Sequence, residues 1–153
     1  MHTATITWAR SGPDFLAGKY SREHTWKFDG GVVVPASPSP SVVPAPYSNP
    51  ASVDPEEAYV AAVASCHMLT FLFLASRKGF EVESYADTAV GHMTKNERGV
   101  PWVSTVELSP KIGYGADRRP SATEEADLHH AAHEQCYIAA SIRTEVRVGV
   151  QGA

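Results

Sequence analysis

Cys66 and Cys136 are the only two thiols in a chain of 153 residues. A cysteine can be a nucleophile, a redox centre, a metal ligand or simply a small apolar side chain. Only the thiolate attacks, so a reactive cysteine needs a cation, a helix N-terminus or hydrogen bonds to hold its charge. Cys66 lies in DPEEAYVAAVASCHMLTFLFLASRKGF, between Ser65 and His67 and ahead of Leu69, Phe71, Leu72, Phe73 and Leu74. It falls three turns into the helix that this segment spells, beyond the reach of that helix's own dipole. An activator would have to come from elsewhere in the fold, and an inert core cysteine fits the same context. Cys136 lies in SATEEADLHHAAHEQCYIAASIRTEV. At helical spacing His129, His133 and Cys136 fall on one face, which is the ligand count of a zinc site with one open position. One helix rarely supplies a whole site, and histidines on a solvated face are the commoner origin of such a pattern. Disulfide, inert pair, metal site and redox couple all remain open on these grounds.

The remaining composition narrows the setting. Hydrophobic residues make up 43% of the chain and charged ones 20%, the balance of an ordinary globular protein long enough to bury a core. A net charge of −4 carries none of the basic excess that nucleic-acid binding needs. MHTATITWARSGPDF has neither the basic start nor the apolar run of a secretory signal. Residues 58–75 are about long enough to span a bilayer, but they include Ser65, Cys66, His67 and Thr70. A helix buried on all sides reads the same way. The expectation is a buried helix, no membrane partner, and a cytoplasmic protein, where structural disulfides are uncommon.

The elements that must position the cysteines are legible in part. Residues 3–9 and 21–28 read as strands, and Asp29-Gly30-Gly31 as the turn of a hairpin that resumes at Val32. PASPSPSVVPAPYSNPAS is too rich in proline for helix or central strand, and reads as an ordered loop. Asp54, Pro55 and Glu57 spell a helix N-terminus with a capping box, Glu56 and Glu57 suit the dipole, and Arg77-Lys78-Gly79 spells its end. Residues 80–94 and 100–114 are strand candidates around Asn96–Gly99. Ser121 and Glu124 open a second helix running to about Cys136. A short helical turn follows, and then a closing strand containing Ile142, Val146, Val148 and Val150. This order is α+β, in one domain over residues 1–153.

The segment DPEEAYVAAVASC resembles the region of the first cysteine in the OsmC/Ohr family of thiol-dependent peroxidases. That family shows PEE or PEQ, then small and apolar helix residues, then cysteine ten positions after the first glutamate, as from Glu56 to Cys66. CYIAASIRTEVRV is similar to the second cysteine of the family with its short apolar helix and closing strand, and FDGGVVV to its early hairpin. The likeness covers nearly the whole chain.

The resemblance implies an OsmC-like homodimer, with two long cysteine-bearing helices packed between curved antiparallel sheets from both chains. It implies a peroxidase without cofactor or metal, whose partners are an organic hydroperoxide and an external thiol or dithiol reductant. Cys66 would be the peroxidatic residue, Cys136 the resolving one, and Glu56 the glutamate that pairs an arginine near the reactive thiol. The loop PYSNPASVDPEE contains no arginine, so Arg22 is the candidate cation and Arg10 its fallback. His24, His67 and Phe71 are candidates for the substrate side of the site. The alternative is a non-catalytic protein of the same fold that binds a small molecule or metal through His129, His133 and Cys136. Ten helical residues rise about 15 Å, so Glu56 cannot touch the Cys66 of its own helix. A glutamate acting at that thiol would come from a second chain.

Overall fold

Helix ends are decided locally, and both helices start and stop where their side chains dictate. The computed structural model describes residues 1–149, so Val150 of the expected closing strand lies outside it. Helix α1 (Pro55–Arg77) opens on a reciprocal pair. Asp54 Oδ1 accepts the Glu57 N–H at 2.7 Å, and the Glu57 carboxylate accepts the Asp54 N–H at 3.2 Å. The helix ends in a Schellman motif: Gly79 N–H donates to Ser76 C=O at 3.1 Å and Phe80 N–H to Ala75 C=O at 3.0 Å. This stop puts Gly79 at φ 77°, a left-handed conformation that glycine adopts without a Cβ clash. Helix α2 (Ala122–Gln135) carries the same reciprocal cap between Ser121 and Glu124.

The chain forms two compact units, residues 1–58 and residues 59 onward. The first holds an antiparallel sheet of β1 (Ala4–Thr7), β2 (His24–Phe28) and β3 (Val33–Ala36), in the order β1-β2-β3. The hairpin turn lies where Asp29-Gly30-Gly31 predicts it, closed by Gly31 N–H on Phe28 C=O and Phe28 N–H on Val32 C=O, both 2.9 Å. The proline-rich stretch is an ordered loop tied to the sheet. Ser37 N–H donates to Val53 C=O at 3.0 Å, Val53 N–H to Pro35 C=O at 3.1 Å, and Asn49 N–H to Ser37 Oγ at 2.8 Å.

In the second unit, β4 (Val82–Ala86) pairs antiparallel with β7 (Lys111–Tyr114), and β5 (Val90–Lys95) pairs antiparallel with β6 (Pro101–Leu108). β8 (Glu145–Val148) joins the edge of β6 in parallel, the one departure from antiparallel pairing among these strands. The two long strands expected over 80–94 and 100–114 are each broken, and their halves enter different sheets. The breaks lie together: the Asp87 carboxylate accepts Ser109 N–H at 2.7 Å, and Pro110 has no N–H with which to continue a ladder. Two apolar clusters result. Phe71, Ala75, Phe80, Leu128 and Ala132 join α1 to α2 over β4 and β7, while Val63, Val106 and Leu108 sit under β6 and β8.

Helix α1 is not buried on all sides. Val63, His67, Phe71 and Ala75 form its buried stripe at i, i+4 spacing, whereas Leu69 and Phe73 on another face are each 60% exposed. The apolar residues all round the helix therefore exceed what one chain covers. Where α1 meets β5 the backbone approach is close. A Cβ on Gly91 would lie 2.6 Å from Val60 Cγ2 and 3.4 Å from Val103 Cγ1, and a helical valine has little rotamer freedom to yield. Gly91→Ala is expected to lower stability by about 1–3 kcal/mol, read from the urea midpoint. An unchanged midpoint would mean that the helix shifts at no cost.

Candidate active site

The second unit brings the two thiols together. Cys66 on α1 and Cys136 at the end of α2 are free thiols, and they lie near enough for Cys66 to act on the Cys136 thiol. Cys136 terminates α2 rather than continuing it, with φ −72° and ψ 116°. Only 1% of its surface is exposed, and its sulfur accepts the Ala139 N–H at 3.4 Å from the 3-10 turn Ala139–Ser141. Burial pushes the Cys136 thiol above its ordinary value. The neighbouring Cys66 adds to that rise, while the N–H groups of Ala139 and Ile138 oppose it. Cys136 is thus held as S–H at neutral pH. Cys66 is the less buried residue of the pair.

His67, next in the chain, turns into the core instead of lying beside the sulfurs. Its Nε2 is 3.0 Å from His129 Nδ1, with the rings stacked at 5.3 Å and 9°. Phe71 stacks on His129 at 4.4 Å and is wholly buried, so in this unit it is a core wall rather than an open face. His129, His133 and Cys136 do not form the expected three-ligand face. His129 Nδ1 is turned to His67 Nε2 instead. Among the described residues no group of three or more His, Cys, Asp or Glu side chains is arranged to hold a metal ion.

The other expected site residues belong to the first unit. Glu56 is in the opening turn of α1, and among the described residues it makes no ion pair with Arg22. The Arg22 guanidinium lies 4.1 Å over the Tyr20 ring and 5.8 Å from that of Tyr47. It donates to Tyr20 C=O at 2.9 Å and Gly18 C=O at 3.3 Å. His24 Nδ1 lies 2.8 Å from Arg22 C=O, while His24 Nε2 accepts the Trp26 indole N–H at 2.9 Å. Those two partners put the ring hydrogen on Nδ1.

Residues 48–151 match the family model described as OsmC-like protein. The chain belongs to the OsmC-like protein family. Among solved structures it is similar to an OsmC-like protein of unknown function from Vibrio cholerae, with 47% identity, 97% of each chain covered and a TM-score of 0.94. The fold is shared with an organic hydroperoxide resistance protein OsmC from Legionella pneumophila (16% identity, 97% of this chain and 93% of that one, TM-score 0.70). It is shared too with an organic hydroperoxide resistance protein from Elizabethkingia anophelis (19%, 97% and 93%, TM-score 0.68). No curated protein sequence matches the chain. In this OsmC-like chain, sequence reasoning passed over Trp8, Phe15 and Tyr20, which gather around Arg22. Positions 8, 15 and 20 follow no helical or strand period, and the 3-10 turn Phe15–Ala17 that folds Phe15 back has no strong sequence signal.

Proposed function

We propose that this protein is a thiol peroxidase that reduces organic hydroperoxides. The observation that carries the reading is the meeting of Cys66 and Cys136 as free thiols, one less buried and one buried and protonated. The Cys66 thiolate attacks the terminal oxygen of the hydroperoxide, the O–O bond breaks, and the alkoxide leaves to take up a proton as an alcohol. The sulfur, oxidised by two electrons, is then a sulfenic acid. Cys136 attacks it, a disulfide forms, and the sulfenic oxygen departs as water with the Cys136 proton. An external thiol or dithiol returns both sulfurs to thiols and is itself oxidised to a disulfide. The capture protects Cys66 from the irreversible sulfinic state. Addition of one equivalent of an alkyl hydroperoxide to the reduced protein should remove both thiols, and dithiothreitol should restore them. Unchanged thiol content would sink the reading.

The working form is proposed to be a homodimer. Leu69 and Phe73 leave an apolar strip on α1 uncovered, and burying one such side chain is worth about 1.5–3 kcal/mol. A second chain laid on it would also be the source of a Glu56 acting at Cys66, since within one α1 the two residues are ten apart. Arg22 is the proposed cation that this glutamate orients. The double substitution Leu69→Glu, Phe73→Glu should shift the protein to monomer in sedimentation equilibrium and remove turnover. A monomer with full activity would exclude a partner-supplied glutamate. A cytoplasmic setting belongs to the same proposal, because a reducing compartment supplies the thiol that closes the cycle.

A further inference from the structure

The second unit carries a cavity whose walls include neither thiol. It measures about 540 Å³, and Lys95, Asn96, Glu97, Arg98, Trp102 and Arg143 line most of it. That is the size of a small-molecule site. One wall is the turn between β5 and β6, which Asn96 organises. Its Oδ1 accepts Arg98 N–H at 2.9 Å and Val100 N–H at 3.0 Å, and its C=O accepts Gly99 N–H at 2.8 Å. Another wall comes from the segment that leads into β8. Thr144 Oγ1 donates to Val103 C=O at 2.7 Å and accepts the Tyr59 hydroxyl at 2.6 Å, so the backbone beside Arg143 is pinned to β6. The Arg143 guanidinium then lies 5.9 Å from the Trp102 ring centroid, at the outer edge of cation–π contact.

The cavity is positive and its donors are unspent. Lys95, Arg98 and Arg143 face a single carboxylate, Glu97, in a chain whose net charge is −4. Among the described residues no carboxylate forms a salt bridge with any of these three cations, whereas Arg118 is paired with Glu124 and Arg147 with Glu145. Trp102 adds a further donor. The indole N–H groups of Trp8 and Trp26 have acceptors at 3.0 and 2.9 Å, while that of Trp102 makes no hydrogen bond among the described residues. Like charges around one cavity repel each other until an anion enters it. A phosphate monoester carries about −1.5 to −2 near neutral pH and three strong acceptor oxygens, which suits both the charge excess and the donors. Guanidinium groups bind phosphate oxygens in pairs.

We infer that this cavity binds a small phosphate monoester, with the phosphoryl group on Arg98 and Arg143 and the organic part against Trp102. The inference goes beyond the peroxidase reading and does not rest on it, because binding needs no thiol.

Calorimetric titration of the full chain at pH 8 with phenyl phosphate, phenyl sulfate and inorganic phosphate tests it. Phenyl sulfate keeps the ring with a single charge, and inorganic phosphate keeps the charge without the ring. Phenyl phosphate should bind about tenfold more tightly than either. Arg98→Met and Arg143→Met should each bring phenyl phosphate down to the level of phenyl sulfate, and Trp102→Leu should bring it down to that of inorganic phosphate. Circular dichroism screens each variant for folding; if Trp102→Leu fails to fold, the two arginine variants, both at exposed positions, decide. Equal affinity for phenyl phosphate and either companion, no binding of phenyl phosphate at millimolar concentration, or binding untouched by both arginine substitutions would overturn the inference. Cys66→Ser should bind phenyl phosphate as the native protein does, so failure of the peroxidase proposal leaves this result standing.

Discussion

Cys66→Ser should lower hydroperoxide turnover by at least about a thousandfold, whereas Cys136→Ser should still react fast with one hydroperoxide per chain and then stall or over-oxidise. The asymmetry follows from the environments of the two sulfurs. Cys66 is less buried, while Cys136 is buried, accepts the Ala139 N–H, and is kept protonated by burial and by its neighbour. A serine hydroxyl at position 66 has a far higher pKa than a thiol and does not attack the O–O bond. A serine at position 136 cannot capture a sulfenic acid, so the stalled Cys66 should climb to the sulfinic form with excess peroxide. Mass spectrometry of the Cys66 peptide distinguishes these states. If Cys136→Ser retains full turnover with dithiothreitol and shows no over-oxidation, Cys136 is not the resolving thiol. If Cys66→Ser keeps turning over, the chemistry lies elsewhere.

The second large effect is loss of stability in mild acid. His67 and His129 are 1% and 3% exposed and share one hydrogen bond of 3.0 Å. His67 Nδ1 has no partner, nor does His133 Nδ1 nearby. Burial, with the charges of His129 and His133 adding to it, lowers His67 from 6.5 to about 4. Burial also lowers His129, against the pull of Glu125 and Asp87. A proton added to this pair charges a ring stacked on Phe71 and leaves a buried N–H without an acceptor, and two protonated rings would face each other N–H to N–H. Because the folded value lies below the unfolded one, the contribution to stability is complete above about pH 6.5. It drains away as pH falls toward 4, where His67 alone accounts for about 3 kcal/mol.

Urea midpoints at pH 7.5, 6, 5 and 4.5 should therefore fall more steeply in the native protein than in His67→Phe, His129→Leu. That double variant removes both partners and leaves no orphaned group between them. Carboxylates protonate in the same range in both proteins, so the difference between the two curves isolates the histidines. Parallel curves would mean that the pair titrates at no cost to the fold.

Much of the architecture is written in short-range chemistry. The caps at Asp54–Glu57 and Ser121–Glu124, the Gly79 stop and the hairpin at Gly31 each depend on residues within four positions of one another. Local sequence therefore carries them, and the order of α1, strands, α2 and closing strand follows. The breaks at Asp87 and Pro110 were less legible. The Asp87–Ser109 bond joins residues twenty-two apart, and a continuous run of strand-forming residues gives no sign that its halves enter different sheets.

The site divides along the same line. That Cys66 and Cys136 mattered came from their contexts and from a family pattern spread over the chain; that they face each other could not, because the distance between two sulfurs is a property of how α1 and α2 pack. Helical spacing aligned Cys136 with His129 and His133, but His129 Nδ1 meets His67 from α1 instead. His67 sits beside Cys66 in sequence yet faces the core, since adjacent helical residues point about 100° apart. The sequence by itself determined the helix boundaries, the two thiols and the family. Only the tertiary structure decided which ring nitrogen meets which, that Cys136 is the buried thiol, and that three aromatic rings gather around Arg22. Each of these depends on contacts between residues far apart in the chain, which no local pattern records.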